Sequence, residues 1–330
     1  MRSLKYYSAT SWEDAVDALT KHENSQVIAG GSDLLGWVKD DLHGPGAPRA
    51  EVLVDIRTIP DTSYINFDAS SGLKLGALTN LTTIEESSVV QQNYPGLALA
   101  AGAPASPSIR NTGTLGGNLL QRPRCWYLRG REFPCYKKGG DFCFAVTGEN
   151  EYHAILEGEL CYIVHPSDAA PALVALNAVA NVATPNGMKQ VPFDEFFIGP
   201  RINVLKETVL EHNELLTEVA VPQPAPGTKS TFLKVTQRNV YDFAIISVAV
   251  AAQIENGTWV DGRVVLGGVA PTPHRSKAAE EVLKGQKITE AVASEAGRRS
   301  MLNARPMTNN AYKVDIAQNL IREAVMSLMA

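Results

Sequence analysis

The side chains best suited to redox or metal chemistry in this 330-residue chain are concentrated in one stretch: all four cysteines, Cys125, Cys135, Cys143 and Cys161, lie between residues 125 and 161. Pro134, Gly139, Gly140 and Gly148 interleave them, so the stretch reads as loop. A loop poor in apolar residues does not offset its own ordering entropy, and four thiolates on a metal or cluster would supply the difference. Zinc ligands come in close pairs separated by about two to four residues, and no such pair occurs here. Wide single spacings suit an iron–sulfur cube, whose corners lie well apart. Zinc, buried free thiols and a disulfide stay open as alternatives, the last weakened by an opening sequence that lacks the apolar region of a secretory signal.

Two glycine-rich segments form the second constellation. Val27 and Ile28 read as the end of a short strand that runs into Ala29-Gly30-Gly31-Ser32-Asp33-Leu34-Leu35, a strand-to-helix turn with successive free N–H groups. That geometry accepts a pyrophosphate, although the segment is not a GxGxxG fingerprint and a plain turn fits it too. Arg110-Asn111-Thr112-Gly113-Thr114-Leu115-Gly116-Gly117-Asn118 is a second such loop, with a hydroxyl and an amide to hydrogen-bond a phosphate or a flavin ring, or simply a sharp bend. Two N–H-rich loops suit a dinucleotide such as FAD better than a mononucleotide. Asp168, after His165-Pro166-Ser167, offers a ribose or adenine contact, with helix capping as its default role, and His165 reads as a packed histidine.

The elements that position these residues follow from periodicity. Ser11 caps a helix beginning at Trp12, and residues 26–29 and 51–56 read as strands of a small α/β unit that ends near Pro60. Residues 61–222 read as a second unit, with a strand at 73–77, a helix from Thr83 to Gln91, a buried strand at 160–164, a helix from Ala169 to Leu176 and a hairpin at Asn186-Gly187. Pro222 to Gly227 is a linker by composition. Strands at 231–235, 245–254 and 258–266 and helices near 276–284, 289–301 and 310–328 then make a third unit, 228–330. The expected class is α+β: two subdomains, 1–60 and 61–222, the second carrying an insertion at 122–161, and a C-terminal three-stranded sheet with three helices.

A formal charge of −5 without long runs of either sign argues against nucleic-acid or membrane-surface binding. No apolar run approaches the roughly 18 residues of a membrane span, so the expected location is the cytoplasm, or the periplasm if a partner carries an export signal.

Together these motifs resemble the FAD-binding (medium) subunits of the molybdenum hydroxylases, the xanthine dehydrogenase and carbon monoxide dehydrogenase family, whose motifs AGG(S/T)xLL and RNxGTxGGN are matched by Ala29 to Leu35 and Arg110 to Asn118. The similarity extends through Leu266-Gly267-Gly268-Val269-Ala270 and Arg275 to the helical end. It implies the FAD-binding fold shared with vanillyl-alcohol oxidase, with FAD held by Val27, Ile28 and the segment Ala29, Gly30, Gly31, Ser32, Asp33, Leu34 and Leu35. Arg110, Thr114, Gly116, Gly117 and Asn118 would lie by the flavin and pyrophosphate, Asp168 by the adenosine part and Lys234 near the isoalloxazine. Tyr241-Asp242-Phe243 would shape the flavin's edge or start a strand. The insertion resembles the branch with an additional [4Fe-4S] cluster, as in 4-hydroxybenzoyl-CoA reductase and aromatic-aldehyde oxidoreductases, which implies Cys125, Cys135, Cys143 and Cys161 as its ligands. The implied role is electron relay, with no catalytic residue in this chain, beside a large molybdopterin subunit and a small subunit with two [2Fe-2S] clusters. The complex would act on an aromatic aldehyde, an aromatic acyl-CoA or an N-heterocycle. A self-contained flavin oxidase and a zinc-stabilised assembly protein are the rival readings.

Overall fold

The computed structural model describes residues 3–238 and 241–329; Met1, Arg2, Asn239, Val240 and Ala330, which include the start of the expected unit 1–60 and the end of the expected unit 228–330, lie outside them. The first unit is a parallel sheet of β1 (Lys5–Ser8), β2 (Ser25–Ile28) and β3 (Val52–Asp55) in the order β1-β3-β2. The helix Trp12–Lys21 buries Ala15, Val16, Ala18 and Leu19, and the Ser11 hydroxyl accepts from the Asp14 N–H at 3.1 Å at its start. β1 was not legible because every one of its residues is exposed, so no apolar alternation marks it.

The second unit is an antiparallel sheet of β4 (Ile65–Asp68), β5 (Gly72–Gly76), β6 (Val179–Thr184), β7 (Gly187–Pro192) and β8 (Leu215–Val221), ordered β4-β5-β8-β6-β7. Helices Pro95–Gly102 and Ala169–Ala175 belong to its apolar core. Two expectations fail here. The helix from Thr83 to Gln91 is two helices, Leu81–Glu86 and Ser88–Asn93, because Ser87 takes an extended conformation at ψ 117°. Residues 160–164 form no strand: the Tyr162 carbonyl accepts from the Ala154 N–H and the His165 N–H donates to Ala270, single bonds that fix an extended path between units without a ladder.

The C-terminal sheet has four strands rather than three: β9 (Thr228–Val235), β10 (Ile246–Glu255), β11 (Thr258–Gly267) and the two-residue β12 (His274–Arg275), ordered β12-β11-β10-β9. A strand that short carries no periodicity. Alternate residues of β10 face opposite ways: Val248, Val250 and Ala252 pack with helices Lys277–Leu283, Glu290–Ser300 and Tyr312–Ser327, while Ala249 and Ala251 join the core of the second unit. Burial on both faces fastens the C-terminal sheet to the cofactor-bearing part of the chain. A second fastening is Lys313, fully buried, whose ammonium donates to the carbonyls of Gly268 (2.5 Å), His153 (3.0 Å) and Tyr152 (3.3 Å).

The insertion holds one turn of helix, Trp126–Arg129, and two 3₁₀ turns, Tyr136–Lys138 and Phe144–Val146. It is less bare than its glycines suggest. Tyr127, Phe133, Phe142 and Phe144 meet edge to face, with ring centroids 5.1–5.3 Å apart.

Candidate cofactor sites

β2 delivers the first glycine segment to the surface of the second. A Cβ on Gly30 would lie 2.1 Å from the Thr112 carbonyl oxygen, so only glycine lets the two loops touch, and Gly31 adopts φ +70°. Thr114 caps the helix Leu115–Leu119 by accepting from the Gly117 N–H at 3.1 Å. The loops border one cleft, lined by Val27, Ala29, Gly30, Gly31, Ser32, Asp33 and Leu34 on one side and Thr114, Gly116 and Gly117 on the other. Ile28 is buried and Leu35 is 41% exposed. Arg110 is turned to Glu85 (3.1 Å) and the Pro104 carbonyl (3.0 Å), and the Asn118 side chain accepts from the Ser167 hydroxyl at 2.5 Å.

A second cavity is walled by Val164, His165, Ser167 and Asp168 and rimmed by Arg124, Trp126, Tyr152 and Phe243. Asp168 starts the helix Ala169–Ala175 without capping it; the Ser167 hydroxyl accepts from the Ala170 N–H at 3.1 Å instead. The Asp168 carboxylate meets the Lys234 ammonium at 2.6 Å, both side chains deeply buried, and Lys234 also donates to Ala103 at 3.1 Å. Burial pushes the Asp168 carboxyl above its ordinary range against the pull of Lys234. His165 packs on Phe197 with ring centroids 4.7 Å apart, and burial lowers it to about 4, so it is neutral near pH 7. Its Nε2 is buried without a partner among the described residues. Tyr241 and Phe243 are exposed, and Asp242 pairs with Arg238.

All four cysteines line one small pocket, together with Tyr127, Leu128, Lys137, Phe144 and His153. Each of the four thiols is free. Burial pushes Cys125 and Cys161 up to about 12, so the thiolate form needs a nearby positive charge. Two fully buried lysines stand close by: Lys137 reaches Glu207 at 3.0 Å, and Lys138 donates to the Gly130 carbonyl at 2.5 Å. His153 Nε2 lies 3.3 Å from Cys125 Sγ. Among the described residues no group of three or more His, Cys, Asp or Glu side chains is drawn together as a single-ion site. Cys125, His153 and Ile163 border both this pocket and the Asp168 cavity.

A family model described as the FAD binding domain in molybdopterin dehydrogenase matches residues 2–224, and one described as the CO dehydrogenase flavoprotein C-terminal domain matches residues 231–328. The chain belongs to the FAD-binding subunits of the molybdopterin dehydrogenases. It is 31% identical to an aldehyde oxidoreductase FAD-binding subunit of Escherichia coli, covering 100% of this chain and 99% of that one. Identity to a xanthine dehydrogenase FAD-binding subunit of Escherichia coli is 25%, covering 98% and 96%. Among solved structures, a carbon monoxide dehydrogenase chain from Hydrogenophaga pseudoflava superposes with a TM-score of 0.78 at 27% identity, covering 99% of this chain and 98% of that one. These relatives are subunits of oxidoreductases, and the α/β architecture is theirs.

In this FAD-binding subunit, sequence reasoning missed what Asp33 does with its side chain. The carboxylate turns to the insertion, accepting from the Arg122 N–H (2.8 Å) and Arg129 (2.7 Å) and pairing with Arg124. Burial opposes its ionisation, but the Arg129 and Arg124 charges and the Arg122 N–H hold it below the usual carboxylate range. The available signal was charge alone: Arg122, Arg124 and Arg129 have no acidic neighbour within the insertion's opening residues.

Proposed function

We propose that this chain relays electrons in a molybdenum hydroxylase complex, binding FAD and a [4Fe-4S] cluster while a large molybdopterin subunit performs the substrate chemistry. A small subunit with two [2Fe-2S] clusters completes the heterotrimer. FAD, when bound, exchanges electrons singly with clusters and in pairs with a two-electron partner. On this reading the segment from Val27 to Leu35 with Thr114, Gly116 and Gly117 takes the diphosphate, and its N–H groups hold the anion. Asp168 and Lys234 fix the second cavity, and the neutral His165 keeps it free of a competing charge. Arg110 and Asn118 act one layer back, by bracing the loop and Ser167. The reading divides the chain at 1–60, 61–222 and 228–330, with the cluster in 122–161.

The observation that carries the proposal is the convergence of Cys125, Cys135, Cys143 and Cys161 on one pocket that shares a wall with the Asp168 cavity. A cube spreads its ligands further than a single ion does, which suits thiols that surround a pocket without forming a single-ion site. Buried Lys137 and Lys138 offset the negative charge of four thiolates. Similarity to an aldehyde oxidoreductase subunit over the whole chain supports an aldehyde among the three expected substrate classes.

The deciding experiment is an anaerobic visible spectrum with iron and sulfide analysis of the complex as purified. Flavin bands over a broad iron–sulfur shoulder and about four irons per chain beyond those of the small subunit are expected. Cys135→Ser should remove those irons. Zinc in the chain, or unchanged iron in the variant, would overturn the cluster assignment; a monomer turning over an organic substrate unaided would establish the self-contained oxidase.

A further inference from the structure

Asp33 belongs to two places at once. It borders the glycine cleft beside Gly30, Gly31 and Ser32, and it is where the cysteine insertion is tied down. The three residues that hold it, Arg122, Arg124 and Arg129, come from the insertion's opening turn, and Arg122 and Arg129 also lie over the Trp37 ring at 5.0 and 5.2 Å. The Asp33 side chain is 18% exposed, so these pairs are shielded from bulk solvent more than surface ion pairs are.

The charge balance at this point has a consequence for anion binding. A lone carboxylate on the rim of the cleft would repel a diphosphate. Two guanidinium groups on that carboxylate make the local sum positive, so the rim attracts one. The sign of the field over the glycine loop therefore depends on whether the insertion is in place. We propose that Asp33 is a positioning residue that couples the two cofactor regions: ordering of residues 122–161 raises the affinity of the glycine cleft for FAD, and FAD in turn orders the insertion. Such coupling is reciprocal by thermodynamic necessity. The inference rests on the FAD site proposed above and not on which metal the cysteines hold.

The test titrates FAD into the flavin-depleted complex and reads flavin fluorescence, with hydrogen exchange of residues 122–161 followed in parallel. Removing the guanidinium charges in R124Q/R129Q leaves the Asp33 charge with only the Arg122 N–H as a partner and should weaken FAD binding about tenfold. Adding Asp33→Asn to that variant removes the repulsion and should restore the affinity to within about threefold of the parent. A residue that merely held the fold together would give a further loss instead. Hydrogen exchange in the parent should slow across 122–161 when FAD binds, and that response should fade in R124Q/R129Q at FAD concentrations that saturate the cleft. If Asp33→Asn fails to rescue R124Q/R129Q, or if FAD leaves exchange in the parent insertion unchanged, the coupling is overturned. A parent complex that binds no FAD at all would instead refute the cofactor site, so the two failures are separable.

Discussion

The C-terminal sheet with its three helices and the cysteine insertion are ordered by opposite means. In the former, Trp259, Val264, Leu266, Ile321, Ala324 and Val325 are fully or nearly fully buried in one apolar cluster, and side-chain caps at Ser276 and Thr289 start two of the helices. Many contributions add up there into one shared apolar core. The insertion has one helical turn, a few aromatic contacts and a set of individually specified ties: three arginines on Asp33, Lys137 on Glu207, Lys138 on Gly130, and four inward-facing thiols. Order built from a shared core is lost as a unit. Order built from point contacts is lost contact by contact, and each loss is local.

Three changes would break or sharpen that contrast. The largest effect is expected from Trp259→Ala, which empties the centre of the C-terminal core and should cost about 3–5 kcal/mol. Calorimetry should show the main transition lowered with the protease resistance of residues 122–161 in the folded protein unchanged; a loss below about 1 kcal/mol would mean that this core is not what holds the sheet to its helices. Next, Lys137→Met removes one of the two cations that face the partly buried Glu207 and should cost about 1–3 kcal/mol. Because the tie is local, the change should appear as faster proteolysis within 122–161 with little movement of the main transition, and an equal effect on both would erase the contrast. The smallest effect is with pH. Burial opposes ionisation of Glu207, yet Arg122 and Lys137 hold its carboxyl below the usual range, and Asp33 is lowered in the same sense. A carboxyl lowered on folding contributes stability above its unfolded value and loses it as pH falls through the folded one. The insertion should therefore loosen below about pH 4, by on the order of 1 kcal/mol, before the C-terminal helices melt. Protection of 122–161 that is flat from neutral pH down to global acid unfolding would remove these carboxylates from its support.

The contrast also explains what could be read from the residues alone. The strands and helices of the C-terminal unit repeat apolar residues at periods that only their elements produce, so β9, β10, β11 and the last three helices are legible to within a few residues. The hairpin at Asn186-Gly187 is legible because Gly187 takes positive φ, which glycine favours. Residues 160–164 mislead because Cys161 and Ile163 are buried against the cysteine pocket and not within a sheet, and alternation cannot tell the two apart. The glycine segments announce a close approach, but not that Thr112 is what Gly30 approaches. The partners of Asp33 and Lys234 lie 89–96 and 66 residues away, and no local pattern encodes such a pairing.

Lys313 gives the molecule an order in time. Its ammonium closes on the His153 carbonyl from 160 residues further along the chain. At a synthesis rate of roughly 5–20 residues per second, the segment beside the cysteine pocket waits about 8–32 s for that clamp to emerge. During that interval the four thiols are translated and within reach while the C-terminal wall behind them is still being made. Whatever enters the pocket during assembly works in a window bounded by translation, and synonymous changes that slow the ribosome between residues 161 and 313 lengthen it without altering a single side chain.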